Sequence, residues 1–76
     1  MALFALLNHK KLEKEMEARN FKQEWFAEQL GITDRHVRNL KERDTNVAVS
    51  LLYSISRVLD TPMEDLLILR EEDRDP

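Results

Sequence analysis

The stretch QEWFAEQLGITDRHVRNL, Gln23 to Leu40, carries two short amphipathic runs on either side of the only glycine in the chain. In the first run Phe26, Ala27 and Leu30 share one face of a helix, because residues three and four apart are neighbours on a helix surface. Gly31 follows at once, where a helix ends most cheaply with a residue of positive φ. Thr33 is a side-chain N-cap for a second run, Asp34 to about Glu42, and Asp34 suits the positive end of the helix dipole. Val37 and Leu40 point inward from that run. Two helices that cross steeply over so short a turn need a small residue at their contact and a glycine at the bend, and Ala27 and Gly31 meet both needs. Thr33, Asp34, Arg35, Arg38 and Asn39 are left on the outward side.

Upstream, Asn8 is a good N-cap for a helix carrying Leu12 and Met16, which ends near Arg19 and Asn20, since asparagine tolerates the left-handed exit. Phe21 anchors the connection that follows. Downstream, Asn46 can cap a helix in which Ala48, Leu52, Ile55 and Leu59 form a core face. Thr61, Pro62 and Glu64 then read as a capping box around a proline at the first helical position, opening a short fifth helix through Leu69. The expected fold is all-α and compact, with five helices. Ala2 to Leu7 either extends the first helix or forms a short strand against Leu66 to Arg70.

The 76 residues bound the rest. They suffice for one domain with one small core, with Met1 to Leu7 as an apolar arm and Glu71 to Pro76 as an acidic tail. No cysteine is present, which excludes disulfides, thiolate nucleophiles and thiolate zinc sites and fits a cytoplasmic setting. The longest apolar run, Ala2 to Leu7, is too short for a signal peptide or a membrane span, so a soluble chain is expected. The net charge of −3 is an unusual balance for a nucleic-acid binder. Its distribution decides more than its sum. Residues 71–76 hold four acids and one base and account for all of it, leaving 11 bases against 11 acids in residues 1–70. From Thr33 to Arg43, Arg35, Arg38, Lys41 and Arg43 outnumber Asp34 and Glu42, and this segment is locally basic.

With those residues in place, Gln23 to Leu40 resembles without a gap the motif of the lambda-repressor-like (Cro/repressor, XRE-type) helix-turn-helix regulators. LLYSISRVLDTPMEDLL, Leu51 to Leu67, resembles the same family's fourth and fifth helices, so the likeness covers roughly residues 9 to 68. It implies a DNA-binding transcriptional regulator, a repressor that binds an operator as a homodimer and sets helix 34–42 into the major groove. Arginine pairs bidentately with guanine and asparagine with adenine, which suits Arg35, Arg38 and Asn39 to reading base edges. Asp34 can accept from cytosine, although an acid at a capping turn is also a common structural device. Gln23 resembles the family's phosphate-contacting glutamine at a helix N-terminus. The chain departs from the family at Lys22, Lys41, Arg43, Val47 and Ala48, where Ser or Thr, Glu, Gly, Pro and Ser are usual. Two side-chain caps are thereby lost, while Lys22, Lys41 and Arg43 become positive where phosphates pass. His36 is a surface or phosphate-side residue, and Asn46 completes the set of DNA-contact candidates.

Other features divide between structural and functional roles. Trp25 sits beside the inward stripe, packing on the first helix or serving as an interface anchor. Leu51 and Val58 form a second stripe, off the core face, which either covers a small core or joins Leu66 to Leu69 in a two-fold interface. With His9 and His36 the only histidines, no metal site is expected, and a single glycine leaves no phosphate cradle. No nucleophile turn is recognisable, so neither cofactor nor catalysis is expected. A different class of function is a protein-interaction module, such as an antitoxin bound to its toxin, motivated by the acidic balance and the surplus apolar residues at both ends.

Overall fold

The computed structural model describes residues 2–72, with side chains from Ala5 to Leu69. Among the described residues four helices form the body: α1 (His9–Ala18), α2 (Gln23–Leu30), α3 (Asp34–Glu42) and α4 (Val49–Leu59). Two strands, β1 (Ala2–Leu7) and β2 (Leu67–Glu72), join the ends of the chain in an antiparallel ribbon, with Leu7 opposite Leu67 and Ala2 opposite Glu72. The acidic tail beyond Glu72, and Met1 of the arm, lie outside the described residues.

Caps explain most of the helix boundaries. Asn8 accepts the N–H of Lys11 at 3.1 Å and Thr33 accepts that of His36 at 3.0 Å, each satisfying a donor that the helix cannot. α2 and α4 start at Lys22 and Ala48 without a side-chain cap, as the departures at those positions foreshadow. Three helices end alike. After α1, α2 and α4 the residues Asn20, Gly31 and Asp60 turn left-handed at φ 57°, 70° and 52°. The next residue then donates back across the turn: Phe21 to Met16 at 2.9 Å, Ile32 to Ala27 at 3.1 Å and Thr61 to Ser56 at 3.0 Å. These are Schellman closures, which satisfy the last carbonyls of each helix.

Each helix contributes its expected stripe to one core. Leu12 and Met16 of α1, Phe26 and Ala27 of α2, Val37 and Leu40 of α3, and Leu52, Ile55 and Leu59 of α4 are all buried. Leu7 and Leu66 close the core at the root of the ribbon. Leu30 is half-buried against the cluster, and so are Leu51 and Val58, which cover the core as small domains require. Trp25 remains 42% exposed, its ring 4.6 Å from that of Phe21 in the α1–α2 connection. No helix among the described residues is long and apolar enough to cross a membrane.

Three expectations are corrected. The fifth helix is a single 3₁₀ turn, Met63–Leu66, and the chain continues as β2. Leu67, Ile68 and Leu69 make an uninterrupted apolar run that suits an extended strand beside the equally apolar β1 better than an amphipathic helix. The capping box does not form: Pro62 occupies the cap, and the buried hydroxyl of Thr61 lies 3.1 Å from the Leu59 carbonyl and 3.3 Å from Glu15 Oε1. Asn46 does not cap α4, which begins three residues later, leaving Ala48 exposed as the capping residue and off the core face.

Candidate nucleic-acid interface

The candidate site is the exposed side of α3 together with the elements at its two ends. Val37 is 0% and Leu40 1% exposed, which fixes the rotation of the helix about its axis. At about 100° per residue, the direction opposite that pair belongs to Arg35, Arg38, Asn39 and Glu42. All four are exposed. Glu42 joins the three expected residues because it lies two turns beyond Arg35 on the same face. It stands in the last turn, away from the N-terminal end that helix-turn-helix proteins set against the bases.

At the N-terminal end, Thr33 is exposed and engaged in its cap. Asp34 is half-buried, with Oδ1 shielded and unpaired and Oδ2 3.9 Å from Arg38 Nη2. An exposed ion pair at such a distance contributes about 0–1 kcal/mol, so little restrains the Arg38 guanidinium from a better bidentate partner. Gln23 is the first residue of α2, and its Nε2 donates to the carbonyl of Asp34 at 3.3 Å. The two helices are thus linked at their N-terminal ends, where backbone N–H groups left over from both helices can meet an anion. Gly31 makes this possible through its dihedral angles rather than through space, because an added Cβ would have nothing within 4 Å.

Beyond α3, Arg43 is extended at φ −159° and exposed, and so is Asn46. The segment that carries them is pinned to the start of the chain. Leu7 donates its N–H to Thr45 O at 2.7 Å, His9 donates its backbone N–H to Asp44 Oδ1 at 3.1 Å, and the His9 ring Nδ1 lies 2.6 Å from the same oxygen. Lys41 is half-buried beside this loop, while His36 is exposed on the flank of α3. The structure therefore groups Asp34, Arg35, Arg38 and Asn39 on α3 with Thr33 at its cap, ties Gln23 to Asp34 directly, and holds Arg43 and Asn46 on a separate anchored loop. Asp44 and His9 escaped the sequence analysis because 35 residues separate them.

The family model of the Cro/C1-type HTH DNA-binding domain matches residues 11–72. The chain belongs to this family. The match spans α1 through β2, so the Cro/C1-type domain includes the ribbon strand as well as the helix-turn-helix. No curated protein matches the chain. A Cro/C1-type domain binds DNA.

Proposed function

We propose that the protein is a cytoplasmic, sequence-specific transcriptional repressor that occupies an operator as a homodimer, with α3 of each copy in successive major grooves about 34 Å apart. The observation that carries this reading is the cross-section of α3: Val37 and Leu40 inside, Arg35, Arg38 and Asn39 outside. In this reading Arg35 and Arg38 pair with guanines and Asn39 with adenine, while Thr33 and Asp34 meet bases at the entry point. Gln23, Lys22, His36, Lys41, Arg43 and Asn46 hold phosphates and set the register. The whole chain acts as one DNA-binding unit, and residues 71–76 supply its acidic tail.

A near-neutral body with a locally basic helix implies modest nonspecific affinity and strong salt sensitivity. Specific recognition then depends on the base contacts of α3. Selection of bound DNA from a random pool tests the proposal, with an inverted repeat of half-sites about one helical turn apart as the expected outcome. A pool that enriches no motif removes the regulator reading. A reporter driven through the selected site should fall in expression when the protein is supplied, and a rise would reverse the sign of regulation.

A further inference from the structure

We propose that two copies of the chain join along the outer edge of β1, in an antiparallel β1–β1 pairing centred on Phe4, to form a four-stranded sheet in the order β2-β1-β1-β2. This supplies the interface for the homodimer proposed above and rests on that reading for its two-fold symmetry.

Edge geometry is the first ground. In antiparallel strands the N–H and C=O of one residue face the same edge, and successive residues alternate between edges. Leu7 sends its N–H to Thr45 O at 2.7 Å, away from β2, and Asn8 sends its own to Leu66 O at 2.8 Å, on the β2 side. By alternation Ala2, Phe4 and Leu6 address β2, and Leu3 and Ala5 address the outer edge. The sheet has two strands, and among the described residues the outer edge meets only the single bridge at Leu7 and Thr45.

Composition is the second ground. β1 reads ALFALL, with no charge and no proline, and so lacks the side-chain devices by which proteins blunt an open strand edge. Its apolar residues occupy both faces, a pattern that suits a strand covered on both sides. The body covers only the root. Leu7 is fully buried, Leu6, Leu67 and Ile68 are half-buried, and Ala5 and Leu69 are exposed, Leu69 to 69%. A two-stranded ribbon alone is marginal in water, whereas four strands with an apolar face are not.

Charge selects the occupant. β2 reads LILREE, so two-fold pairing of β2 with β2 sets charges opposite apolar residues or opposite like charges in the registers that use the strand. Pairing β1 with β1 about Phe4 sets Phe4 against Phe4, Leu3 against Ala5 and Ala2 against Leu6, with no charge in any pair. It uses the outward groups of Leu3 and Ala5 and leaves Leu7 on Thr45. A centre nearer the root drives the partner's chain into the Thr45 edge. A second copy is therefore an occupant that matches this edge in length and charge. The contact is small, below about 1,200 Å², in the size class of weak and transient interfaces.

Sedimentation equilibrium of the full chain without DNA tests this. Ala5→Pro removes only an outward N–H, at an edge position where proline is tolerated, and should weaken dimerisation at least tenfold while circular dichroism and the melting curve persist. Leu69→Pro makes the mirror change on the outer edge of β2 and should leave the dimer intact. In this cysteine-free chain Phe4→Cys should oxidise to a covalent dimer, because Phe4 faces Phe4 as a non-hydrogen-bonded pair, whose Cβ atoms approach to about 4.5 Å, within reach of a disulfide. Leu6→Cys should not, its two copies lying four residues, or roughly 14 Å, apart along the strands at 3.4 Å per residue. A chain that stays monomeric, a dimer broken by Leu69→Pro but not by Ala5→Pro, or equal cross-linking from both cysteine variants overturns the proposal. If Ala5→Pro unfolds the chain, the cross-linking pair decides. A monomer that still selects a half-site sinks the edge alone, and an intact dimer that selects no DNA sinks the regulator reading alone.

Discussion

The amide of Gln23 donates to the main-chain carbonyl of Asp34 across 3.3 Å, joining the first residue of α2 to the first residue of α3. One neutral side chain thus helps set the relative placement of two helix N-termini, and its loss is expected to act on DNA binding in a recognisable way. Gln23→Ala should weaken binding by about 0.5–1.5 kcal/mol, the net worth of one hydrogen bond, and equally on all sequences. The salt slope should not change, because glutamine releases no counterion. A binding isotherm series in salt checks both, and a slope reduced by about one would assign the site a cationic role that glutamine cannot play.

Arg38 should behave differently. Arg38→Ala is expected to cost about 1–3 kcal/mol at the selected site and to relax the preference at one base position. Because the side chain is exposed and only loosely paired with Asp34, folding stability should stay within about 0.5 kcal/mol. Competition binding against single-base variants of the selected site, run beside a urea melt, separates the two effects.

Gly31 is tested by stability alone. An L-residue at φ 70° costs about 1–2 kcal/mol, and no neighbouring atom complicates the substitution. Gly31→Ala should therefore lower Tm by about 4–8 °C for each kcal/mol lost in a domain of this size. A calorimetric scan showing no change would mean that the turn relaxes into another closure.

Glu15 gives the fold a pH dependence. Its carboxylate accepts from the Arg19 guanidinium and pairs with Lys11 Nζ at 3.2 Å, and these partners, Arg19 foremost, hold its pKa below the ordinary carboxylate value. A depressed folded-state pKa adds stability above the ordinary carboxylate range, and that stability fades as pH falls through the lowered value. Glu15→Gln should then melt below the parent chain at neutral pH, with the gap closing in acid. Melting curves taken from pH 7 down to about 3, below the ordinary range, check the sign, and a gap that widens in acid would contradict it.

Much of the architecture is local and could be read without coordinates. Asn8 and Thr33 declare helix starts, Asn20 and Gly31 declare left-handed exits, and the stripes from Leu12 to Leu59 declare which faces turn inward, because these choices depend on neighbours within about one helical turn. Asp60 takes the third left-handed exit without advertising it, since an aspartate is as often a cap or a surface charge. Arg35, Arg38 and Asn39 were legible on the outward side of α3 for the same local reason, once Val37 and Leu40 had fixed the rotation of the helix, whereas Asp34, expected outward with them, is half-buried.

What needed the folded chain was contact between distant segments. Whether Ala2 to Leu7 is helix or strand depends on what lies beside it, and β2, about 65 residues later, settles the matter by pairing with it. That pairing also ends the 3₁₀ turn at Leu66, where local signals favoured a longer helix. The loop carrying Arg43 and Asn46 takes its path from bonds to Leu7 and His9, and Thr61 leaves its capping role for a buried position beside Glu15. In each case the outcome depends on a segment far away in the chain, which reading within one helical turn does not reach.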